Sequence, residues 1–336
     1  MYKISFVIPA HNCANTIERT LKSILKLHLD LEIIVVENGS TDNTAEVVNR
    51  LANQYKNIHV LTSNKGVSIA RNKGIDAAIG DWIVFVDADD ECLQGIEAIG
   101  EYLESTEPDL IIGSYKKDEN LILHDYHVLN KAISNTDEIK AWLISRPTLR
   151  MQAWAKIYRA KFLKENKLYF DEKLSYSEDS EFVIRVLILA KAVVITDNPF
   201  YQYHSGTIST MRGFVEGRSE KYITALEAAE ADVYGESRII KYAFADYVIA
   251  HINIMGVHDV FACEVRKPWI NRCKKMHTLM QQSIIERTIQ DVKFSMNIQS
   301  LPVMLCKYHL TAVAGVIYYG RSLLNKKRQL RASNNE

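Results

Sequence analysis

The stretch WIVFVDADDE, residues 82 to 91, ends an unbroken apolar run in a cluster of carboxylates. Its first five residues have the length and the β-branched and aromatic content of a buried strand. Asp87, Asp89 and Asp90 stand where that strand would leave the core. Because Asp favours turns, a polar turn is one explanation. A binding site at the strand end is the other, and the motifs in the surrounding sequence decide between the two explanations.

The first 115 residues alternate strand-like runs with helical periodicities. KISFVIPA, LEIIVV and IHVLT are strand-like, and a segment with apolar residues at helical spacing follows each. In the first such segment Ile17, Leu21 and Ile24 share one face, and Asn15 and Glu18 have the spacing of a capping pair. This alternation predicts an α/β fold, a mostly parallel sheet with helices on both faces.

Polar segments follow three of the predicted strands, at residues 9–12, 37–40 and 87–90. In sheets of this kind ligands bind beyond the carboxyl ends of the strands. We therefore expect these segments to line one crevice. No G-x-G-x-x-G follows the first strand, so the dinucleotide-binding pattern is missing and the crevice is predicted to hold a different ligand.

Composition restricts the class of protein. A chain of 336 residues with 47% hydrophobic residues can bury a large core, and 41 basic residues against 41 acidic ones give no general attraction to nucleic acid. Five scattered cysteines without a C-x-x-C pair argue against a disulfide framework or zinc knuckle and favour a reducing, cytoplasmic compartment. The pattern of an export signal is missing at the start, and no apolar run reaches the ~20 residues needed to span a bilayer.

The spacing of Asp87 and Asp89 suits a divalent cation. Alternate carboxylates at a strand end can hold Mg²⁺ or Mn²⁺ through one or two oxygens, and ligand phosphates complete the coordination. Such a cation offsets the negative charge of a departing diphosphate. A D-x-D alone is a weak signal, so the prediction depends on the motifs around it.

Four further segments accompany the D-x-D in order: FVIPAHN, VVENGSTDNT, NKGVSIARNKGIDAA and SEDSEF. Together they resemble family 2 of the inverting glycosyltransferases, whose members carry the GT-A fold and typically show P-A-Y-N, D-D-G-S-x-D-x-T, N-x-G-x-x-x-A-R-N, D-A-D-D and E-D. The resemblance covers residues 3 to about 205. It implies a GT-A domain over 1–210, with a nucleotide-sugar half to about 115 and an acceptor half from about 116. After it a helical C-terminal extension is predicted over 211–336.

The resemblance implies a donor site with two departures from the family pattern. His11 stands where the family usually has Tyr, and its imidazole can still stack on uracil. Asn38 replaces an acid, but its amide oxygen can accept the uracil N3–H. Lys65 has a solvated helix face as its competing explanation. The implied donor-binding residues are Pro9, Ala10, His11, Glu37, Asn38, Lys65, Gly66, Arg71, Asp87, Ala88 and Asp89, of which Asp89 and Asp87 are also the implied metal ligands.

Glu178 and Asp179 begin a predicted helix, where acids are favoured by roughly 0.3–1 kcal/mol through the macrodipole, so capping is the competing explanation. The resemblance implies that Asp179 is the catalytic base and that Glu178 positions it or shares the acceptor contact. The base would take the acceptor hydroxyl proton as that hydroxyl attacks from the face opposite the diphosphate. Weaker candidates for acceptor or phosphate contact are Asp90, Trp154, Lys156 and His204. For Asp90 the alternatives are support of the metal ligands from behind or contact with the donor sugar, and for the other three a core or surface role is equally compatible.

The C-terminal segment 301–331 places Leu310, Val313, Ile317 and Leu324 on one helical face. Residues 292–335 contain seven Lys or Arg and no acid. Apolar side chains opposed to basic ones are typical of a helix that lies on an anionic membrane, and peripheral contact with the inner membrane face is one prediction. A packed helix with a solvated basic tail is the other.

The leading interpretation is an inverting transferase that moves a sugar from a UDP-sugar to a saccharide or lipid-linked acceptor, with Mn²⁺ or Mg²⁺, in the synthesis of a surface polysaccharide such as a capsule. A sugar-1-phosphate nucleotidyltransferase would need a Gly-rich loop after the first strand, and PAHNCANT has no glycine. A catalytically silent subunit that binds nucleotide sugars is a third class, although the acids Asp87, Asp89 and Asp179 are all present.

Overall fold

The computed structural model describes residues 3–98, 100, 102, 107–123, 132–134, 136–205, 215, 217–290, 292 and 299–333. The chain divides into two compact units. The first contains Met1–Thr136, Gln152–Lys173 and Glu178–Thr207, and the second contains Asp137–Met151, Leu174–Ser177 and Ile208–Glu336. Residue 210 lies outside the described residues, and the domain boundary there stays a prediction.

One sheet runs through the first unit. Its strands are β1 (Lys3–Ala10), β2 (Asp30–Glu37), β3 (Ile58–Thr62), β4 (Trp82–Phe85), β5 (Glu91–Cys92), β6 (Leu110–Lys117), β7 (Asn120–Ile122), β8 (Ala132–Ser134), β9 (Lys156–Arg159) and β10 (Ala192–Tyr203). Eight of them follow the order β3-β2-β1-β4-β9-β6-β10-β5, while β7 pairs with β6 and β8 pairs with β10.

The long strand pairings are parallel. β1 pairs with β2 and with β4, β2 pairs with β3, and β6 pairs with β10, each in parallel. The antiparallel pairings described span two or three positions each. The predicted mostly parallel α/β sheet is confirmed, and β9 inserts between β4 and β6 as an antiparallel strand.

The helices described are α1 (Ile17–Leu25), α2 (Thr44–Gln54), α3 (Val67–Ala77), α4 (Asp137–Ile144), α5 (Pro147–Arg150), α6 (Ala160–Glu165), α7 (Glu178–Leu189), α8 (Arg218–Val233), α9 (Arg238–Met255), α10 (Trp269–Met280), α11 (Ser283–Ile289), α12 (Ser300–Lys307) and α13 (Thr311–Ser333). A 3-10 helix spans Gln94–Ala98. Among the described helices none is long and apolar enough to cross a membrane.

Both faces of β1 are buried, as the apolar run predicts. Phe6 packs in a core cluster with Ile17 and Leu21 of α1. The next residue, Val7, points to the opposite face, where its Cγ1 would lie 2.2 Å from a Cβ at Gly74 of α3. Successive side chains of a strand alternate between faces, so α1 and α3 cover opposite sides of the sheet.

The predicted capping pair of α1 is wrong. The helix begins at Ile17, and its N-cap is Thr16 without a side-chain capping bond. Glu18 instead forms ion pairs of 2.7 Å with Lys22, one turn along the helix, and with Arg50. Lys22 of α1 and Arg50 of α2 compete with the backbone amide for the Glu18 carboxylate.

The second unit is helical. α9 packs against α4, α8, α11 and α12, and it continues directly into a π-helical turn, Gly256–Val260. Gly256 faces the ring of Tyr318, where a Cβ would come within 2.8 Å, and Gly315 of α13 faces Phe261 in the same way. These two glycines allow α13 to pack closely against the turn.

Candidate active site

The predicted polar segments lie at one edge of the sheet. Ala10 pairs in register with Glu37, so β1 and β2 end side by side. The Asn38 amide donates to the Ala10 carbonyl at 2.9 Å. On the other side of β1, the Val86 amide donates to the Val7 carbonyl at 3.1 Å. The chain therefore leaves β4 next to the end of β1, and the D-x-D follows there.

The loop after β2 is fixed around buried polar groups. Glu37 accepts a hydrogen bond of 2.5 Å from the Ser40 amide. Although burial acts to raise it, this bond helps to hold the pKa of Glu37 below its usual value. Asn38 is buried. Nδ1 of His11 is also buried, while its Nε2 lies 3.4 Å from the Asn12 amide nitrogen. The Nδ1 atom therefore has no hydrogen-bond partner among the described residues.

Lys65 and Gly66 lie where the chain enters α3. Gly66, the N-cap residue, has a φ of +149°, a conformation that side chains rarely adopt. Lys65 is exposed, and its Cβ would lie 3.9 Å from a Cβ at Gly39. The loops after β2 and β3 are therefore neighbours, and the exposed Lys65 lies at the point where they meet.

Arg71 of α3 is the centre of the site. Its side chain is buried, and its guanidinium contacts Asp179 at 2.5 Å, Asp87 at 3.0 Å and Glu178 at 3.6 Å. The Phe170 ring lies 5.1 Å from the guanidinium carbon. One cation thus joins the strand end after β4 to the N-terminus of α7. The sequence predicted contact with base or phosphate for Arg71, and the structure shows three carboxylates around it.

Hydrogen bonds from α1 and its N-cap residue fix the backbone of the turn after β4. The Ala88 carbonyl accepts hydrogen bonds from the hydroxyls of Thr16 at 2.9 Å and Thr20 at 3.0 Å. The Asp89 carbonyl accepts one from the Arg19 guanidinium. The Asp89 side chain is partly exposed. Because the backbone is fixed, this carboxylate is presented to solvent in a defined place.

Asp90 faces the protein interior and is 1% exposed. It accepts hydrogen bonds from the Tyr201 hydroxyl at 2.7 Å and from the His204 amide at 2.8 Å, and burial raises its pKa to about 8. The same Tyr201 oxygen accepts the Asp87 amide at 3.1 Å. The His204 ring lies 2.8 Å from Glu91. The buried Asp90 therefore fixes the D-x-D turn through its hydrogen bonds to Tyr201 and His204.

Burial raises the pKa values of two carboxyl groups of the site, and neighbouring negative charges add to that effect. Burial, opposed by Arg71 and assisted by Asp179 and Asp89, raises the pKa of Asp87 to about 6. Burial followed by the charge of Asp179 raises the pKa of Glu178 to about 7. One guanidinium does not offset these acids, so the site has room for a further positive charge.

The remaining predicted residues are buried next to this cluster. Trp154 is 7% exposed and stacks on Tyr201 with ring centroids 4.6 Å apart and on Tyr203 at 5.6 Å. The Lys156 ammonium donates to the Gln152 carbonyl at 2.5 Å. Neither side chain lies open to solvent.

Sequence reasoning missed Tyr201 and Arg19. Tyr201 lies in the strand FYQYH, where alternate aromatic residues on one face were the available signal. Arg19 had no such signal, because its contact with the Asp89 carbonyl joins residues 70 positions apart.

The oxygen donors at this edge fit a divalent cation in part. Asp87 and Asp89 supply hard carboxylate oxygens of the kind that Mg²⁺ and Mn²⁺ bind. Within the part of the chain that the structure describes, no three histidine, cysteine or carboxylate side chains form a ready-made metal cluster. Two carboxylates are what a site completed by ligand phosphates requires, because Mg²⁺ commonly keeps one or two protein ligands in such sites.

Comparison with known proteins gives one family. The model of "Glycosyl transferase family 2" matches residues 5–166. The "Uncharacterized glycosyltransferase EpsJ" of Bacillus subtilis is 24% identical over 96% of this chain and 97% of its own length. A poly(ribitol-phosphate) beta-glucosyltransferase of Bacillus spizizenii is 27% identical over 71% of this chain, but the match covers only 38% of that protein.

The fold has a close counterpart among solved structures. The crystal structure of S. aureus TarS 1-349 in complex with UDP-GlcNAc superposes with a TM-score of 0.67 at 18% identity, over 97% of this chain and 92% of that one. At this level of identity the match shows a shared fold, and it confirms the predicted GT-A-like architecture.

Proposed function

Because the chain belongs to glycosyl transferase family 2 and is a glycosyltransferase that uses nucleotide-sugar donors, we propose that it moves a hexose from a UDP-sugar to a hydroxyl of a saccharide or lipid-linked acceptor. The transfer inverts the anomeric carbon and serves surface polysaccharide synthesis. The observation that carries this proposal is the pairing of Asp179 and Asp87 through one buried guanidinium, Arg71. It puts a candidate base and a candidate metal ligand side by side.

The donor end of the proposed site lies at the carboxyl ends of β1 and β2. The His11 ring, whose Nδ1 has no partner among the described residues, and Asn38 lie at these strand ends and are the groups proposed to contact a base. TarS, which shares the fold, is described with UDP and with UDP-GlcNAc bound. These two observations support a uracil base and a UDP-hexose donor.

Asp89 and Asp87 would hold Mn²⁺ or Mg²⁺. The charges of Asp179 and Asp89 act to raise the pKa of Asp87, and a divalent cation would offset that repulsion. When bound, it supplies positive charge against the departing diphosphate. Arg71 is committed to the acids around it, so it orients Asp87.

Asp179 is the proposed base. One of its oxygens accepts from Arg71 at 2.5 Å, and the other accepts the Ala153 amide at 3.3 Å. Each carboxylate oxygen keeps a lone pair for an acceptor hydroxyl. A base held in this way removes the hydroxyl proton as the oxygen attacks, which is worth typically ~10²–10⁴ in rate.

The test supplies a panel of UDP-, GDP- and dTDP-sugars with Mn²⁺ and a panel of saccharide and lipid-linked saccharide acceptors, and it measures release of the nucleotide. We expect release from a UDP-sugar. Asp89→Asn should lose the metal-dependent part of donor binding measured by calorimetry, and Asp179→Asn should keep donor binding but lose transfer. Asp30→Asn, at an exposed position of β2, is the matched control. If folded protein releases no nucleotide from any donor, or if Asp89→Asn binds donor and metal as the wild type does, the proposal is wrong.

We further propose that the C-terminal helices attach the enzyme to an anionic membrane surface. Leu310, Val313, Val316 and Leu324 are each more than half exposed, while Ile317 is only partly so. The exposed apolar side chains are followed along α13 by basic ones at 326–328. This pairing favours anionic lipid, where each basic residue near the surface adds ~1 kcal/mol.

Sedimentation with phosphatidylglycerol vesicles tests the attachment. Val316→Glu should reduce the bound fraction several-fold, because a carboxylate there opposes both the apolar and the ionic attraction. Ile79→Glu, at a position 71% exposed in the first unit, is the control. Equal binding of both variants and the wild type would refute the membrane proposal.

A further inference from the structure

Lys156 is a buried lysine whose role the transfer chemistry does not explain. It is the first residue of β9, and 2% of its surface is exposed. Its hydrogen bond is to a backbone carbonyl, that of Gln152. Burying an ammonium is costly, so a residue used only for packing would be apolar.

Hydrogen bonds from side chains of β9 fix the turn between Gln152 and Lys156. The Gln152 carbonyl accepts the Lys156 ammonium, and the Ala153 carbonyl accepts the Tyr158 hydroxyl at 2.9 Å. Ala155 has a φ of +55°, which L-residues adopt rarely and only when their surroundings impose it. β9 thus holds two successive carbonyls of its own preceding turn.

That turn presents the Ala153 amide to Asp179. The amide donates to the carboxylate oxygen that Arg71 does not contact, at 3.3 Å. If the turn relaxed, this amide would withdraw, and Asp179 would keep only its guanidinium partner. The carboxylate could then rotate about the remaining contact.

Charge acts in the same direction as geometry. Burial lowers the pKa of Lys156 to about 7, and the charge of Asp179 acts to raise it again. The ammonium of Lys156 and the carboxylate of Asp179 therefore attract each other across the turn. Among the described residues, the other charged or titratable groups near Asp179 are Arg71 of α3, Asp87 after β4, Glu178 of its own helix and Tyr158 of β9.

We propose that Lys156 is a positioning residue for the base: its ammonium fixes the Gln152–Ala155 turn so that the Ala153 amide holds Asp179 in the orientation that accepts the acceptor proton. This inference rests on the proposed function, in which Asp179 is the base. The sequence analysis named Lys156 as a candidate for direct contact with acceptor or phosphate. The burial of its ammonium disfavours such a contact and favours the positioning role.

The test compares Lys156→Met, which keeps the length of the side chain and removes the ammonium, with Lys161→Met, at an exposed position of α6 whose lysine pairs with Glu165. Both are assayed for kcat, for KM of donor and acceptor, and for the pH dependence of kcat. We expect Lys156→Met to lower kcat by roughly 10–100-fold with both KM values unchanged, since a small misplacement of a reacting group can cost ~10²-fold. The acid limb of its kcat profile should move to higher pH. Lys161→Met should match the wild type.

A second variant separates position from charge and covers the case in which Lys156→Met does not fold. Tyr158→Phe removes the hydroxyl that holds the Ala153 carbonyl without changing any charge. We expect it to lower kcat with no shift of the acid limb. Lys156→Arg, which restores a cation, should recover part of kcat.

The outcomes distinguish this inference from the proposed function. If Asp179→Asn transfers sugar as fast as the wild type, the assignment of the base is wrong and the proposed function fails. If Asp179→Asn is inactive while both Lys156→Met and Tyr158→Phe keep the wild-type kcat, the positioning role alone is refuted. A rise in acceptor KM with unchanged kcat in Lys156→Met would also refute it, because that result indicates direct contact with the acceptor.

Discussion

Replacing Arg71 with Met should destabilise the first unit, and more so at higher pH. The substitution keeps the apolar stem and removes the guanidinium that contacts Asp179 at 2.5 Å, Asp87 at 3.0 Å and Glu178 at 3.6 Å. The three carboxylates then have no common partner. Removing one member of a buried ion pair typically costs ~3–5 kcal/mol.

We expect the lower end of that range. The side chains of Asp87, Asp179 and Glu178 keep 31%, 24% and 18% of their exposure, so water reaches them in part. A loss of ~3 kcal/mol is a large fraction of the ~5–15 kcal/mol that stabilises a typical domain. It corresponds to a fall of roughly 6–12 °C in the unfolding midpoint of a unit of this size.

The pH dependence follows from the raised pKa values. Asp87 and Glu178, with folded pKa values of about 6 and about 7, hold protons that the unfolded chain has released. Stability therefore falls as pH rises from about 4 to about 7. Without Arg71, which acts to lower both values, this window extends to higher pH. At pH 5 Asp87 and Glu178 are largely protonated and need no partner, so the effect of the substitution should be smaller than at pH 8.

Scanning calorimetry at pH 5 and pH 8 measures both quantities. Arg50→Met is the matched control, because Arg50 pairs with Glu18 at 2.7 Å in an exposed position, where an ion pair is worth about 0–1 kcal/mol. If Arg71→Met lowers the midpoint no more than Arg50→Met, or lowers it equally at both pH values, the buried guanidinium does not hold these acids together.

Three further substitutions test other parts of the structure. Gly74→Ala should destabilise by about 1–3 kcal/mol in urea titrations despite the better helix propensity of Ala, because its Cβ would lie 2.2 Å from Val7; a gain in stability would contradict this packing. His251 is buried, and burial lowers its pKa to about 4, so the second unit should be fully stable above about pH 6.5 and lose stability as pH falls towards 4. His251→Phe should flatten that dependence in acid unfolding, and an unchanged slope would exclude His251 as its source. Burial raises the pKa of Asp90 to about 8, so ionising it between pH 6 and pH 9 should lower the unfolding midpoint of the wild type. Asp90→Asn, which cannot ionise, should show a smaller fall over the same range, and an equal fall would assign that cost to another group.

Much of the fold is predictable because local pattern and final structure agree. The apolar run before Asp87 forms β4, and Ile17, Leu21 and Ile24 lie buried on one face of α1. These elements are fixed by side-chain periodicity, which is a property of a short window of sequence. The antiparallel insertion of β9 between β4 and β6 is not visible in such a window, since its partners lie 73 to 77 positions away in β4 and 44 to 48 positions away in β6.

The sequence predicted which residues lie at the site better than it predicted the contacts between their side chains. The resemblance brought Asp87, Asp179 and Arg71 to notice, and the structure brings all three together. Their mutual contacts were not predictable, because residue type at a motif position does not say which group a side chain contacts. Arg71 illustrates this, since an arginine in such a motif can contact a ligand phosphate or a neighbouring acid with equal chemical sense.

The balance of charge at the sheet edge connects these observations. Asp87, Glu178 and Asp179 surround Arg71, and Asp89 adds a further carboxylate that acts to raise the pKa of Asp87. Burying so much negative charge costs stability that the fold itself does not recover, as the raised pKa of Asp87 shows. Such a cost is typical of sites arranged for a charged ligand. Addition of Mn²⁺ should therefore raise the unfolding midpoint of the wild type but not of Asp89→Asn, with or without donor, and an equal rise in both would place the cation elsewhere.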